Sequence, residues 1–147
     1  LPYAILRFSN PYGPSQHAAR PQGAVRVFLD KALRGEEIVI WGDGTVIRDY
    51  LYEHDLATAV GAVIQKRAVH GVFNVGTGEG TSLNQLIELI QTTFSVECRV
   101  KYIPERKFDV PFNVLDIRKI AAETGWKPKY NLLDGLHEMK ESMARRP

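Results

Sequence analysis

The sequence contains very little cysteine and no long apolar segment. Its single cysteine, Cys98, excludes a disulfide bond within the 147 residues and fits a reducing compartment such as the cytoplasm. No apolar run approaches the ~20 residues that a membrane-spanning helix needs. The N-terminus also lacks the pattern of a signal peptide. We therefore expect a cytoplasmic protein that is not embedded in a membrane.

The sequence also lacks a strong excess of either charge. The formal net charge is +2 and the basic residues are scattered, which argues against a nucleic-acid-binding groove. The four histidines are isolated from one another and from any cysteine or carboxylate cluster, so no metal site is predicted. Hydrophobic residues make up 44% of the chain, which is enough for the packed core of one domain.

Strand-like and helix-like segments alternate along the chain, and this alternation predicts an α/β fold. Residues 3–8 and 72–75 are apolar runs typical of buried parallel strands. Residues 38–41 and 46–52 flank a Gly-Asp-Gly turn, which predicts a hairpin. Residues 10–21 are rich in proline, glycine and serine and predict a loop.

The predicted helices begin at residues that can cap a first turn. Ser82 forms a capping box with Gln85 three residues later. Asp55 and Asp116 are the predicted caps of two further helices. Apolar residues at helical spacing predict two more helices, one over residues 25–33 and a last one that starts near residue 132.

The central stretch of the chain is residues 41–55, with the sequence WGDGTVIRDYLYEHD. Its alternation places Arg48 on the same side as Tyr50 and Tyr52, with Asp49 on the other side. An arginine in line with two aromatic rings can bind a phosphate through two hydrogen bonds while its stem packs on a ring. The alternative is an ordinary surface arginine on an edge strand.

Two other side chains are candidates for binding a ligand. Asn10 follows a predicted buried strand, and ligands of open α/β sheets gather beyond the carboxyl ends of strands. Its neutral amide can donate to a phosphate oxygen, although an Asn-Pro turn residue is the alternative. Trp41 can stack on a base, and its alternative is an anchor in the core.

Five blocks of the sequence resemble, in this order, the extended short-chain dehydrogenases/reductases, and among them the nucleotide-sugar epimerases of the UDP-glucose 4-epimerase type. The blocks are LRFSNPYGP at residues 6–14, GDGTVIRDYLYEHD at 42–55, FNVGTG at 73–78, RKFD at 106–109 and TGWKP at 124–128. The resemblance implies the C-terminal part of an extended Rossmann-type fold. This part would consist of a small substrate-binding domain and the last strands of the parallel sheet.

The resemblance also implies NAD as the cofactor, a UDP-sugar as the ligand and a homodimer for the full-length protein. The residues implied to bind the diphosphate are Asn10, Arg48 and Arg106, and Asp109 would accept from ribose hydroxyls. The residues implied to hold the rest of the nucleotide are Gly23, Ala24, Val25, Val39 and Trp41.

Two further positions are implied to lie near the reacting sugar and the cofactor. Asn113 falls near a position that limits the size of sugar substituents in the family, and Ser9 would lie beside the nicotinamide. Phe108 stands where the family usually has glycine, which changes the backbone expected next to Asp109.

The catalytic parts of this family are missing from the sequence. None of the tyrosines is followed four residues later by lysine, so the Tyr-x-x-x-Lys pair is absent. The glycine-rich loop at residues 76–80 has the wrong spacing for a dinucleotide fingerprint and is interpreted as a tight turn. The chain also starts at Leu1 without methionine. We therefore expect the C-terminal part of a longer enzyme, inactive alone and lacking its N-terminal NAD-binding half.

The preferred hypothesis is thus the substrate-binding portion of an NAD-dependent UDP-sugar 4-epimerase. A nucleotide-sugar dehydratase, decarboxylase or reductase of the same superfamily is the first alternative. A UDP-sugar-binding module without catalysis is the second alternative.

Overall fold

The computed structural model describes residues 3–16, 22–66, 70–105 and 109–145, and its strands and helices confirm the α/β class. The strands of these residues are β1 (Ala4–Phe8), β2 (Asn10–Tyr12), β3 (Ile38–Trp41), β4 (Ile47–Arg48), β5 (Tyr50–Tyr52), β6 (Gly71–Val75), β7 (Thr81–Ser82), β8 (Val100–Ile103) and β9 (Phe112–Asn113). The helices are α1 (Ala24–Leu33), α2 (Glu53–Gln65), α3 (Leu83–Phe94), α4 (Arg118–Thr124) and α5 (Leu132–Ala144). None of these described helices has the length and apolarity needed to cross a membrane.

Strands β1 and β6 form a parallel pair, which confirms the pairing expected for residues 3–8 and 72–75. Burial of β1 is expected only where the N-terminal half is present, and within these 147 residues the strand leaves apolar surface exposed. Tyr3, Ile5 and Phe8 are 61%, 49% and 38% exposed. β6 is the only strand that pairs with β1 among the described residues, so one edge of β1 stays open there.

The predicted hairpin around the Gly-Asp-Gly turn is wrong. β3 pairs in parallel with β8, β4 lies between β7 and β9, and β5 pairs in parallel with β2. The segment 46–52 is therefore divided between two sheets, with Asp49 at the break. Gly42 and Gly44 have φ angles of 81° and 80°, a left-handed conformation that redirects the chain after β3 instead of returning it along that strand.

The predicted loop of residues 10–21 begins with a strand. In β2, Asn10 pairs with Tyr50 and Tyr12 pairs with Tyr52. Local composition favours a loop here, but pairing with β5 imposes extended structure on the first three residues. Residues 17–21 of the predicted loop lie outside the described residues.

Of the three predicted helix caps, one is confirmed and two are wrong, since α4 has Ile117 at its N-cap while Asp116 lies one residue earlier and accepts from the N–H of Arg118. Ser82 and Gln85 form the reciprocal capping box at the start of α3. Asp55 lies inside α2, which begins at Glu53, so it does not cap that helix. Its buried carboxylate instead accepts hydrogen bonds from the main-chain N–H groups of Lys129 and Tyr130 at 3.0 and 2.9 Å.

Strand β5 separates two apolar cores. Tyr50 and Tyr52 belong to the larger core, which α1, α3 and α5 cover. Leu51 belongs to the smaller core, together with Phe73 and Trp126. Successive side chains of a strand point to opposite faces, so one short strand serves both cores. The residues of β5 are consequently packed on both faces.

Candidate functional site

A cleft of about 310 Å³ opens between the start of α1, strand β3, the segment around β4 and the start of α3. The sequence-predicted site residues that line it are Asn10, Ala24, Val39, Trp41, Arg48 and Asp109. The fold therefore brings together residues that lie far apart in the sequence. The remaining lining residues were not predicted as site residues, and they are Phe28, Ile40, Val46, Tyr50 and Leu83.

Apolar and aromatic surface forms one wall of this cleft. Val39 and Trp41 alternate with the buried Ile40 on β3 and are 39% and 42% exposed. The other tryptophan, Trp126, is only 7% exposed. Trp41 is therefore not a core anchor, and its ring offers a flat apolar surface on which an aromatic base can stack.

Arg48 and Asp109 are the charged members of the described lining. Arg48 Nη1 donates to the carbonyl oxygens of Ile47 and Val110, at 2.8 and 2.7 Å. The second bond ties the guanidinium to the segment that carries Asp109. These bonds restrict the orientation of Arg48, which lowers the entropy cost of using it to bind an anion.

Asn10 and Tyr50 both line the cleft. They are direct partners in the parallel pairing of β2 with β5. Asn10 Nδ2 donates to the carbonyl oxygen of Asp49 at 2.9 Å. Because a primary amide has two N–H donors and an acceptor oxygen, this bond orients Asn10 and leaves capacity for a ligand.

Asp49 lies directly behind the cleft and is fully buried. Its carboxylate accepts hydrogen bonds from the N–H and the hydroxyl of Thr77, and from the N–H groups of Gly78 and Leu115. Four donors satisfy this buried carboxylate, and no cationic partner is found among the described residues. The carboxylate therefore links the junction of β4 and β5, where Asp49 lies, to the loop after β6 and to the segment before α4.

The hydroxyl of Tyr50 was not predicted from the sequence to be part of the site. Tyr50 is 4% exposed, and its Oη has no hydrogen-bond partner among the described residues. Burial raises the pKa of Tyr50 to about 12, and the charge of Arg48 acts in the opposite direction. The available signal was the alternation that puts Tyr50 on the same side as Arg48.

Three predicted residues lie beside the cleft rather than in its lining. Gly23 and Val25 line a narrow adjoining space at the start of α1, and the Val25 side chain is part of the larger core. Gly23 has φ 79° and ψ 149°, a conformation suited to glycine that begins the helix. Asn113 is exposed on β9 and pairs with Arg48. The binding roles of these residues stay predictions.

Ser9 and Arg106 complete the predicted set. Ser9 follows β1, and its hydroxyl is buried without a hydrogen-bond partner among the described residues. A Cβ added to Gly76 would lie 3.2 Å from Ser9 Oγ and still closer to Asp49, so glycine is required at this close approach. Arg106 lies outside the described residues, and so does Phe108.

The glycine-rich loop after β6 is occupied by contacts within the protein. The N–H groups of Thr77 and Gly78, which a dinucleotide phosphate would need, donate to Asp49. This finding agrees with the tight-turn interpretation of residues 76–80. Over the described part of the chain, no group of three or more His, Cys, Asp or Glu residues is arranged to hold a metal ion.

Comparisons with known proteins identify relatives that share this architecture. A family model described as the NAD dependent epimerase/dehydratase family matches residues 1–76. The chain is 33% identical to the dTDP-4-dehydro-6-deoxyglucose reductase of Escherichia coli, over 94% of this chain and 44% of that protein. The chain thus spans less than half the length of this curated relative.

This chain is also similar to solved structures of proteins about twice its length. The chain is similar to the UDP-glucose 4-epimerase of Thermotoga maritima in complex with UDP-glucose, with a TM-score of 0.87 and 38% identity over 99% of this chain and 47% of that one. It is also similar to the UDP-glucose 4-epimerase of Thermus thermophilus in complex with NAD, with a TM-score of 0.87 and 28% identity over 100% of this chain and 48% of that one.

Proposed function

Because this chain belongs to the NAD dependent epimerase/dehydratase family, we propose that it forms the UDP-sugar-binding part of an NAD-dependent UDP-sugar 4-epimerase. The observation that carries this proposal is the cleft itself, which Arg48, Asn10 and the partly exposed Trp41 line together. A cation and amide donors complement a diphosphate, and an aromatic ring complements a base.

In this proposal each group of the cleft binds a different part of the nucleotide sugar. Arg48 and Asn10 bind the diphosphate together with Arg106, and Asp109 accepts from the ribose hydroxyls. Trp41 and Val39 contact the uracil ring, while Gly23, Ala24 and Val25 contribute main-chain groups at the start of α1. Asn113 lies near the sugar substituents.

One residue of this chain, Ser9, also fits a contact with the nicotinamide of NAD. The buried hydroxyl of Ser9, at the carboxyl end of β1, has no hydrogen-bond partner among the described residues and suits a polar group of the cofactor. NAD, when bound, supplies the hydride acceptor and donor that epimerisation at the sugar C4 requires. The other residues that hold it would belong to an N-terminal half.

The proposal includes a cytoplasmic location and a homodimer for the full-length protein. The single cysteine supports a reducing compartment. The homodimer rests on the family resemblance and stays a prediction.

A nucleotide-sugar reductase, dehydratase or decarboxylase is the alternative, and the similarity to the E. coli reductase favours keeping it. The nucleotide-binding cleft would be common to all these enzymes. It does not distinguish their reactions, because the reaction depends on residues that this chain lacks. A UDP-sugar-binding module without catalysis is the remaining alternative.

The test uses the full-length protein that contains these residues. Calorimetric titration with UDP, dTDP and uridine measures whether the cleft binds a nucleoside diphosphate. Incubation with NAD and UDP-galactose, followed by chromatography of the products, then separates the reactions. We expect UDP to bind more tightly than uridine, and UDP-glucose to form. Binding of UDP with formation of a 4-keto-6-deoxy sugar would support a dehydratase, and no UDP binding would contradict the proposal.

A further inference from the structure

Tyr50 lines the cleft, and its hydroxyl is buried without a hydrogen-bond partner among the described residues. The whole residue is 4% exposed, and its ring packs in the larger core. Burying a hydroxyl without a partner is unfavourable, because the group has given up its hydrogen bonds to water. Tyrosine is therefore a costly choice here unless the hydroxyl binds something, since phenylalanine would fill the same core position.

The residues around this hydroxyl indicate the kind of group that it binds. Arg48 lies two residues earlier and also lines the cleft, and its positive charge acts on the Tyr50 hydroxyl. Asn10 is the direct strand partner of Tyr50 and lines the cleft beside it. Beside Tyr50 the cleft lining thus offers a cation and an amide donor, and Asp109 is the acidic member of the same lining.

Main-chain carbonyl groups hold Arg48 and Asn10, the two neighbours of Tyr50, in place. Arg48 is fixed by the carbonyls of Ile47 and Val110, and Asn10 is fixed by the carbonyl of Asp49. The Tyr50 hydroxyl is carried on a ring that the core immobilises. This hydroxyl is protonated at neutral pH, as in an ordinary tyrosine, and burial raises the pKa of Tyr50 further, to about 12. The result is a preorganised neutral donor next to a cation, which suits an anionic oxygen.

We propose that Tyr50 is a phosphate-binding residue, whose hydroxyl donates a hydrogen bond to a diphosphate oxygen of the nucleotide beside Arg48. This inference rests on the proposed function, because it requires that the cleft binds a nucleoside diphosphate. It adds a direct ligand contact that the resemblance did not imply for this chain.

The proposal predicts different effects of Tyr50→Phe on the affinity for UDP, on the affinity for uridine and on the melting temperature. The substitution keeps the ring and removes only the hydroxyl, so the affinity for UDP should fall by about tenfold or more, as expected for a hydrogen bond to a charged group. The affinity for uridine, which carries no phosphate, should not change. The melting temperature of the ligand-free protein should stay the same or rise, because an unpaired buried hydroxyl has been removed.

The experiment is calorimetric titration of UDP and of uridine into the full-length protein and its variants. Tyr52→Phe is the matched control, because Tyr52 is also buried on β5 but does not line the cleft. We expect this control to bind UDP like the wild type. The double variant Tyr50→Phe with Arg48→Ala should lose less affinity than the sum of the single losses, since both residues bind the same diphosphate.

The outcomes separate this inference from the proposed function. If the wild type binds UDP and Tyr50→Phe binds it equally well, the inference is overturned and the proposed function stands. Equal losses of UDP and uridine affinity would also overturn it, because the hydroxyl would then act on the nucleoside or on the fold. If the wild type does not bind UDP, both are overturned.

Discussion

The buried carboxylate of Asp49 accepts two hydrogen bonds from one residue, Thr77, whose N–H and hydroxyl lie 2.9 and 2.7 Å away. The carbonyl oxygen of Asp49 meanwhile accepts from the side chain of Asn10. Asp49 thus binds a loop on one side and orients a cleft residue on the other. Its neighbours in the chain are Arg48 and Tyr50, so the geometry of the cleft depends on this carboxylate.

We expect Asp49→Asn to destabilise the protein by about 2–4 kcal/mol, because the amide replaces an acceptor oxygen by a donor that faces other donors. Chemical denaturation of the full-length protein measures this loss. Glu88→Gln is the control, since Glu88 is exposed on α3 and its substitution should change the free energy of unfolding by no more than about 0.5 kcal/mol. Equal effects of the two changes would contradict the role given to Asp49.

In the full-length protein, Arg48→Ala should weaken UDP binding by about 2–4 kcal/mol, the range for truncating one partner of a desolvated charge pair. Arg48→Lys should recover only part of this loss, because a single ammonium cannot form the bidentate contact. Calorimetric titration compares the three proteins. UDP affinity that is the same in Arg48→Ala within about 0.5 kcal/mol would remove Arg48 from the site.

The 147 residues alone should have no epimerase activity, because the chain lacks the Tyr-x-x-x-Lys pair. A positioned base contributes about 10²–10⁴-fold to such reactions, and a bound hydride carrier is indispensable. The assay measures conversion of UDP-galactose by the purified chain with NAD added. The same assay on the full-length protein is the positive control, and turnover by the chain alone would contradict the prediction.

The 147 residues alone should also self-associate through β1. This strand exposes Ile5 and Phe8, the preceding Tyr3 is also exposed, and the second edge of the strand has no partner among the described residues. Open edges and apolar faces of this kind promote association between chains. Sedimentation velocity should show oligomers that Ile5→Lys reduces, whereas Ile64→Lys, a change at an exposed residue of α2, should not. A dilute, monodisperse monomer of the unmodified chain would contradict the prediction.

The sequence by itself determined the elements whose signals are local. The capping box of Ser82 and Gln85 and the helical spacing of apolar residues predicted α3 correctly, because these contacts join residues only three or four positions apart. The apolar runs of β1 and β6 likewise predicted strands. The alternation around Arg48 correctly placed Tyr50 on the same side as Arg48, and both residues line the cleft.

Only the tertiary structure decided how the strands pair and which donors the buried carboxylates meet. A Gly-Asp-Gly turn is compatible with a hairpin, yet β3 pairs with β8 and β5 with β2, because strand pairing depends on partners that are remote in sequence. Asp55 has the side chain of a helix cap, but the fold brings it the N–H groups of Lys129 and Tyr130. For the same reason, neither the partners of Asp49 nor the buried hydroxyl of Tyr50 could be predicted from local sequence.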